Sequence, residues 1–231
     1  MNVAWERLAD GVHRCRLPFL DVTVGLVYGR TGTLLVDTGT TLAEADAVKA
    51  DVLEIAGSAV THIVLTHNHF DHILGSSAFV DAEVYCAPEV AATIAGRTEH
   101  LRADAVSYGA DPDEVARAVA ALRLPEHLVR RAEIDLGDKS VTIAHLGSGH
   151  TDHDLVVVVE DVDPTIVFCG DLVEESGDPG LGEDSDKDAW PATLGQVLEV
   201  AGPDAVFVPG HGAVVDATFV ELQQQWLTDR M

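Results

Sequence analysis

Short apolar runs separated by turn residues dominate the first third of the chain. Trp5–Ala9 and Val12–Arg16 flank Asp10-Gly11, a pair that favours a tight hairpin because both positions tolerate a left-handed backbone. Residues 22–28 and 34–37 are β-branched or apolar and are separated by Gly29, Arg30, Thr31 and Gly32, a second turn. Between 41 and 56 the period changes. Leu42, Ala45, Val48, Val52 and Ile55 recur at spacings of three and four, which predicts a helix with one apolar face. Thr40 or Thr41 is placed to cap it, with Glu44 in reach for the reciprocal bond.

Further along, residues 63–65 and 84–86 read as short strands, and an alanine-rich stretch from Pro88 to about Arg131 reads as helical. The second half returns to strands at 140–145, 155–159 and 165–169. A helix at 188–200, a strand at 205–208 and a terminal helix from about Asp216 follow. This order predicts an α/β protein of two sheet-plus-helix halves. Burial is satisfied when the apolar sheet faces meet and helices cover the outsides, a four-layer αββα sandwich. No repeat, linker or low-complexity tract divides residues 1–231, which read as one domain carrying a helical insertion at about 96–131.

Composition narrows the function. The 231 residues are 47% hydrophobic, enough for a large core, so no metal or disulfide is needed merely to fold the chain. Thirty-nine acidic residues against fourteen basic give −25. Without a basic stripe to replace counterions, nucleic acid and an anionic membrane surface are unexpected partners. The longest apolar stretch, 155–159, is far short of the roughly 20 residues a membrane helix needs. Glu6, Arg7 and Asp10 stand where an export signal would be apolar, and Cys15, Cys86 and Cys169 form no disulfide framework. The expected location is cytoplasmic.

The chemistry concentrates in His67-Asn68-His69-Phe70-Asp71-His72, three imidazoles and a carboxylate directly after a strand. Imidazole with carboxylate suits zinc or iron. His67 and His69, two apart, can point to one side of an extended loop, while Asp71 and His72 fall on a different turn and can serve a neighbouring metal. Three more pieces follow predicted strands: His150 in a glycine-flexed turn, Asp171 after Phe168-Cys169-Gly170, and His211 between Gly210 and Gly212. Together they add up to a two-metal site.

Asp37 in VDTG, then HNHFDH, GSGHT, FCGD and VPGHG, in that order, resemble the metallo-β-lactamase fold superfamily over about three quarters of the chain. The resemblance implies that His67, His69 and His150 bind one metal and that Asp71, His72 and His211 bind a second. Asp171 would bridge them, and Asp37 would orient ligands from behind. Two zinc ions per chain are implied, with iron or manganese also compatible with these donors. A water acidified toward a pKa of ~7 is then available to attack a carbonyl, with Asp71 accepting and returning a proton.

Departures from subfamily patterns refine this. His69 stands where some oxygen-reducing diiron members carry glutamate, and Asp171 where one class of zinc β-lactamases carries cysteine. Glu174 and Glu175 replace the lysine that holds the drug's carboxylate, so β-lactamase activity is not expected. The short stretch after Gly212, with Arg230 as its sole basic residue, lacks a glutathione-binding region. The expected activity is hydrolysis of a small ester, thioester or lactone. Its rivals are a persulfide dioxygenase with one iron and a non-catalytic metal-binding accessory protein. The insertion, with Arg97, Arg102, Tyr108, Arg117, Arg123, Arg130 and Arg131, is a candidate lid, and 174–188 a second rim. His153 and Asp154 read as solvent-facing, Trp190 and Phe70 as core or wall. His13, His62, His100, His127 and His145 read as structural. Oligomeric state is left open, a homodimer through the inserted helices included.

Overall fold

Seven strands form the first sheet in sequence order: β1 (Trp5–Ala9), β2 (Val12–Arg16), β3 (Thr23–Tyr28), β4 (Thr33–Val36), β5 (His62–Leu65), β6 (Glu83–Cys86) and β7 (His127–Leu128). The computed structural model describes residues 1–230. β1 to β4 pair antiparallel through short turns. From β4 onward the pairing is parallel, so each step requires a crossover. Helix α1 (Leu42–Ala56) makes the first of them. Its capping box is complete: the Thr41 side chain accepts from the Glu44 backbone N–H, and the Glu44 carboxylate accepts from the Thr41 N–H.

The second sheet has the order β12-β11-β10-β9-β8, with β8 (Arg131–Asp135), β9 (Ser140–Ala144), β10 (Val156–Val159), β11 (Ile166–Gly170) and β12 (Val206–Pro209). Helices α6 (Trp190–Ala201) and α7 (Ala217–Thr228) belong to this half. The four consecutive valines of β10 show the layering. Val157 and Val159 enter the core between the sheets with Leu26, Ile143 and Phe168. Val156 and Val158, one residue out of phase, join Trp190, Leu194, Val197 and Val220 of α6 and α7. The first sheet's other face is covered by α1 and by α3 (Pro88–Gly96), α4 (Thr98–Ser107) and α5 (Pro112–Ala121). The result is the expected αββα sandwich.

The helical run ends earlier than its composition implies. α5 stops at Ala121, and 127–128 is a strand, not helix; 131–135, beyond the expected helical run, is a further strand. β7 completes the first sheet beside β6, and β8 opens the second. Alternation in Arg131-Ala-Glu-Ile-Asp135 is the signal for β8, and the arginine count obscured it. Among the described residues no helix is long and apolar enough to cross a membrane.

The sandwich matters because five strands end at one edge. The segments after β4, β5, β9, β11 and β12 carry Asp37, His67 to His72, His150, Asp171 and His211 respectively. Cross-ties hold this edge: Leu155 N–H donates to the Thr66 carbonyl at 2.9 Å, and Thr23 N–H to the Gly210 carbonyl at 2.7 Å.

Candidate metal centre

The chain leaves β5 extended, places His67, and enters a one-turn helix α2 (Phe70–Ile73) for which His69 is the flanking residue at φ −77°, ψ 147°. That change of backbone separates the motif. His67, His69, His150 and Asp171 bring ligand atoms within 4.8 Å of one another, and Asp71, His72 and His211 do the same beside them. His69 Nδ1 is 3.0 Å from His150 Nε2, and His72 Nε2 is 3.3 Å from His211 Nε2. Asp171 reaches both groups. Its Oδ2 lies 3.7 Å from His67 Nε2, 3.5 Å from His150 Nε2 and 3.3 Å from His211 Nε2, and its Oδ1 3.3 Å from His72 Nε2. Asp71 Oδ2 is 3.4 Å from His211 Nε2. All seven residues singled out from the sequence are thus brought together.

The opposite ring nitrogens fix which atoms face inward. His72 Nδ1–H donates to Asp37 Oδ2 at 2.9 Å, His69 Nε2–H to Asp184 Oδ2 at 2.9 Å and His211 Nδ1–H to the Leu20 carbonyl at 2.8 Å. His67 Nδ1–H reaches Thr66 Oγ1 at 3.0 Å, whose own hydroxyl donates to Asp37 Oδ2 at 2.8 Å. With the protons held outside, lone pairs point in.

Two imidazole lone pairs 3.3 Å apart, with the Asp71 and Asp171 carboxylates around them, repel unless a cation lies among them. His67 Nε2 and Asp171 Oδ1 are buried and make no hydrogen bond with the described residues, which fits the same need. The electrostatics agree. Burial opposes charge on His72 and His211, yet Asp171 and Asp71 raise the pKa of both, so a positive charge is favoured between these rings, which a metal ion would supply in place of protons. Burial pushes His67 well down and His150 to about 4, leaving both neutral, the form that binds metal. Burial would raise Asp171, but His72, His211 and His67 hold it well below the usual carboxylate range. The donor set fits metal ions.

Over the centre lies a cavity of about 540 Å³ walled by Leu20, Phe70, Tyr108 and Leu181, with Asp104, Glu174 and Asp184 at its rim. No lysine or arginine lines it. Glu174 is pushed up to about 8 by burial and by Asp171. A second cavity of about 430 Å³ continues past Phe70 and Tyr108 toward Arg97, His100 and Leu101. Residues 97, 100, 101, 104 and 108 form one face of α4 and its flanks, so this helix alone supplies the insertion's share of the wall. Arg102, Arg117, Arg123 and Arg130 are instead paired with Glu99, Glu114, Glu126 and Glu89.

Several expectations need correction. His153 and Asp154 are buried, not solvent-facing: the Asp154 carboxylate accepts from Thr151 N–H at 2.8 Å and Oγ1 at 2.7 Å, bracing the turn that follows His150. His100 lines a cavity. Trp190 needs no correction: it is core, as expected, fully buried with its ring on edge to His150 at 5.8 Å. Asp184, Thr66 and the Leu20 carbonyl were missed. Asp184 is one acid in a run of them, and nothing in the sequence separates it from Glu183 or Asp186.

Comparison with known proteins agrees with this geometry. The family model of the metallo-beta-lactamase superfamily matches residues 17–211. A curated relative, metallo-beta-lactamase domain-containing protein 1 of Mus musculus, is 29% identical over 191 residues; these cover 79% of this chain but only 60% of that protein's length. Among solved structures, a metallo-beta-lactamase from Pontibacter korlensis superposes with a TM-score of 0.76 at 18% identity, covering 98% of this chain and 99% of the other. The metallo-beta-lactamase FIM-1 from Pseudomonas aeruginosa, in its mono-zinc form, gives 0.74 at 20% identity, covering 99% and 96%. At such identities these structures speak for the fold, and the family match carries the relationship: the chain belongs to the metallo-beta-lactamase superfamily.

Proposed function

We propose that this protein is a dinuclear zinc hydrolase acting on a small neutral ester, thioester or lactone. The coarser part, a metal-dependent hydrolase, follows from the family and the histidine–aspartate donor set. The finer part rests on one observation. The Asp171 carboxylate stands within 3.7 Å of nitrogens from both ligand groups, the place of a bridge. His67, His69 and His150 would hold one zinc, and Asp71, His72 and His211 the other. Such a pair supplies Lewis acidity and lowers the pKa of its water toward ~7.

The chain's own groups do the rest. Asp37, Asp184, Thr66 and the Leu20 carbonyl hold four ligand rings in one tautomer, so none must reorient during turnover. Asp71 faces the cavity and can take and return a proton at its carboxylate. Leu20, Phe70, Tyr108 and Leu181 bind an apolar acyl or leaving group and exclude water beside it. Over the ligand groups themselves the wall offers the carboxylates Asp104 and Asp184 and no lysine or arginine, with Arg97 only in the adjoining cavity, which disfavours substrates with a carboxylate or phosphate next to the scissile bond.

Metal analysis of protein purified without added metal or chelator, followed by a panel of esters, thioesters and lactones, tests this. About two zinc per chain, turnover of neutral substrates and its loss in His67→Ala and Asp171→Ala are expected. One iron per chain with oxygen uptake on a persulfide would replace hydrolysis by dioxygenation. Bound metal with no turnover on the panel would leave an accessory protein.

A further inference from the structure

Four of the five histidines at the centre have their outward ring nitrogen engaged, as described above. His150 is the exception. Its Nε2 is among the converging atoms, 3.0 Å from His69 Nδ1 and 3.5 Å from Asp171 Oδ2, so the proton of the neutral ring belongs on Nδ1. That Nδ1 is buried and has no hydrogen-bond partner among the described residues. Glu174 Oε1 lies 3.8 Å away, just beyond hydrogen-bond reach.

The Glu174 backbone is anchored beside His150. Its backbone N–H donates to Gln223 Oε1 at 3.0 Å, and Gln223, buried on α7, donates from Nε2 to the Leu172 carbonyl at 2.8 Å. The same carbonyl accepts from Trp190 Nε1 at 3.0 Å, and the Trp190 ring stands against His150. The outer helices α6 and α7 thus anchor the Glu174 backbone and pack against the imidazole, leaving the carboxyl free to rotate. Gly180 closes the other side: a Cβ there would sit 3.7 Å from Glu174 Oε1 and 3.8 Å from His150 Cε1.

We propose that Glu174 is the positioning residue of His150, accepting its Nδ1 proton and so holding Nε2 toward the metal. This rests on the reading of the centre as a zinc site. A shift of under about an ångström brings the pair to hydrogen-bond distance, a movement a side-chain rotation supplies. The ligand set then becomes uniform: every imidazole donates its outer proton to a defined acceptor, and two of the five acceptors are carboxyl groups in the cleft wall, Asp184 on His69 and Glu174 on His150.

The test uses zinc alone as probe, competed against a chromophoric chelator, on the wild-type protein, Glu174→Ala and Glu174→Gln. Loss of an outer acceptor typically weakens a metal site by ~10–100-fold. That loss is expected in Glu174→Ala for one zinc of the two, with the other unchanged. Glu174→Gln, whose amide oxygen still accepts, should stay within a few-fold of wild type. In the cobalt-loaded protein, the slowly exchanging imidazole N–H signal of His150 should vanish in the alanine variant and persist in the glutamine variant. Wild-type zinc affinity and a full set of imidazole signals in Glu174→Ala would overturn the proposal, as would equal losses in the two variants. Failure of the wild-type protein to take up zinc would sink the metal reading itself, a result distinct from either.

Discussion

Asp37 Oδ2 accepts the Nδ1 proton of His72 at 2.9 Å from a backbone at φ 60°, a conformation non-glycine residues seldom adopt. The same carboxylate accepts from Thr66 Oγ1 at 2.8 Å and, through Oδ1, from Thr66 N–H at 2.9 Å. One residue therefore orients His72 directly and His67 through the threonine hydroxyl, and backbone strain is concentrated where it serves the site.

Replacing that carboxylate should loosen both rings. Asp37→Ala is expected to lower zinc affinity and turnover by ~10–100-fold, the usual cost of losing an outer acceptor. Asp37→Asn should lose nearly as much, because its amide turns one acceptor into a donor facing donors. Chelator competition and steady-state rates check this. Unchanged values in both variants would remove Asp37 from the centre.

Gly210 tests the bridge sterically. Its backbone is ordinary, but a Cβ there would overlap Asp171 Oδ1 and stand 3.0 Å from the Gly170 carbonyl carbon. Gly210→Ala should push Asp171 out of position, with metal content falling below two per chain and turnover by at least ~10-fold. Gly96→Ala is the control, since a Cβ there meets nothing within 4 Å. Equal metal content in the two variants would argue against Asp171 as the shared ligand.

Which parts were legible beforehand follows from what each part depends on. Strands β1 and β2, the capping box of α1 and the seven histidine and aspartate positions rest on local spacing, and local spacing survives folding. β7 is two residues long and pairs with a strand more than thirty residues away, so it has no local pattern to read, and β8 is an edge strand whose short alternation is mostly charged. Asp184 joins His69 across 115 positions, a contact created by the loop's path. His153 and Asp154 looked exposed because they are polar, but the Asp154 carboxylate is taken up by Thr151 inside the turn after His150, and the His153 ring is buried beside Asp152. Tertiary partners decide such residues, and a single sequence does not contain them.

Tyr108 tests the cleft wall. It is exposed at 66%, yet its ring lies 5.6 Å from Phe70 and it borders both cavities. Tyr108→Ala should raise KM about 5-fold for substrates with an aromatic or branched group, the factor for an aromatic contact of about 1 kcal/mol, and leave kcat nearly unchanged. Arg102→Ala, on the far face of α4, should change neither. An equal KM effect from both would mean that the helix acts through fold stability, not contact.

Asp51 carries a stability prediction independent of the metals. Its buried carboxylate, on α1, accepts from Asn2 N–H at 2.6 Å, Val3 N–H at 2.9 Å and Trp5 Nε1 at 3.2 Å, tying the first strand's entrance to the helix layer. Burial would raise its pKa, but these donors together hold it below the ordinary 3.8. A carboxylate lowered on folding binds fewer protons folded than unfolded just below 3.8, so its contribution is full above that pH and is lost as pH falls through the folded value. Asp51→Ala leaves several buried donors unpaired and should cost about 2–3 kcal/mol at neutral pH, given the worth of hydrogen bonds to charged groups. In a chain of this size that is a fall of roughly 5–10 °C in Tm. Metal-stripped protein should be compared, because protonated histidines release metal in the same acid range. The gap between wild type and Asp51→Ala should hold down to about pH 4 and narrow as pH falls below 3.8. A gap constant with pH would mean that the residue holds the first strand by shape rather than by charge.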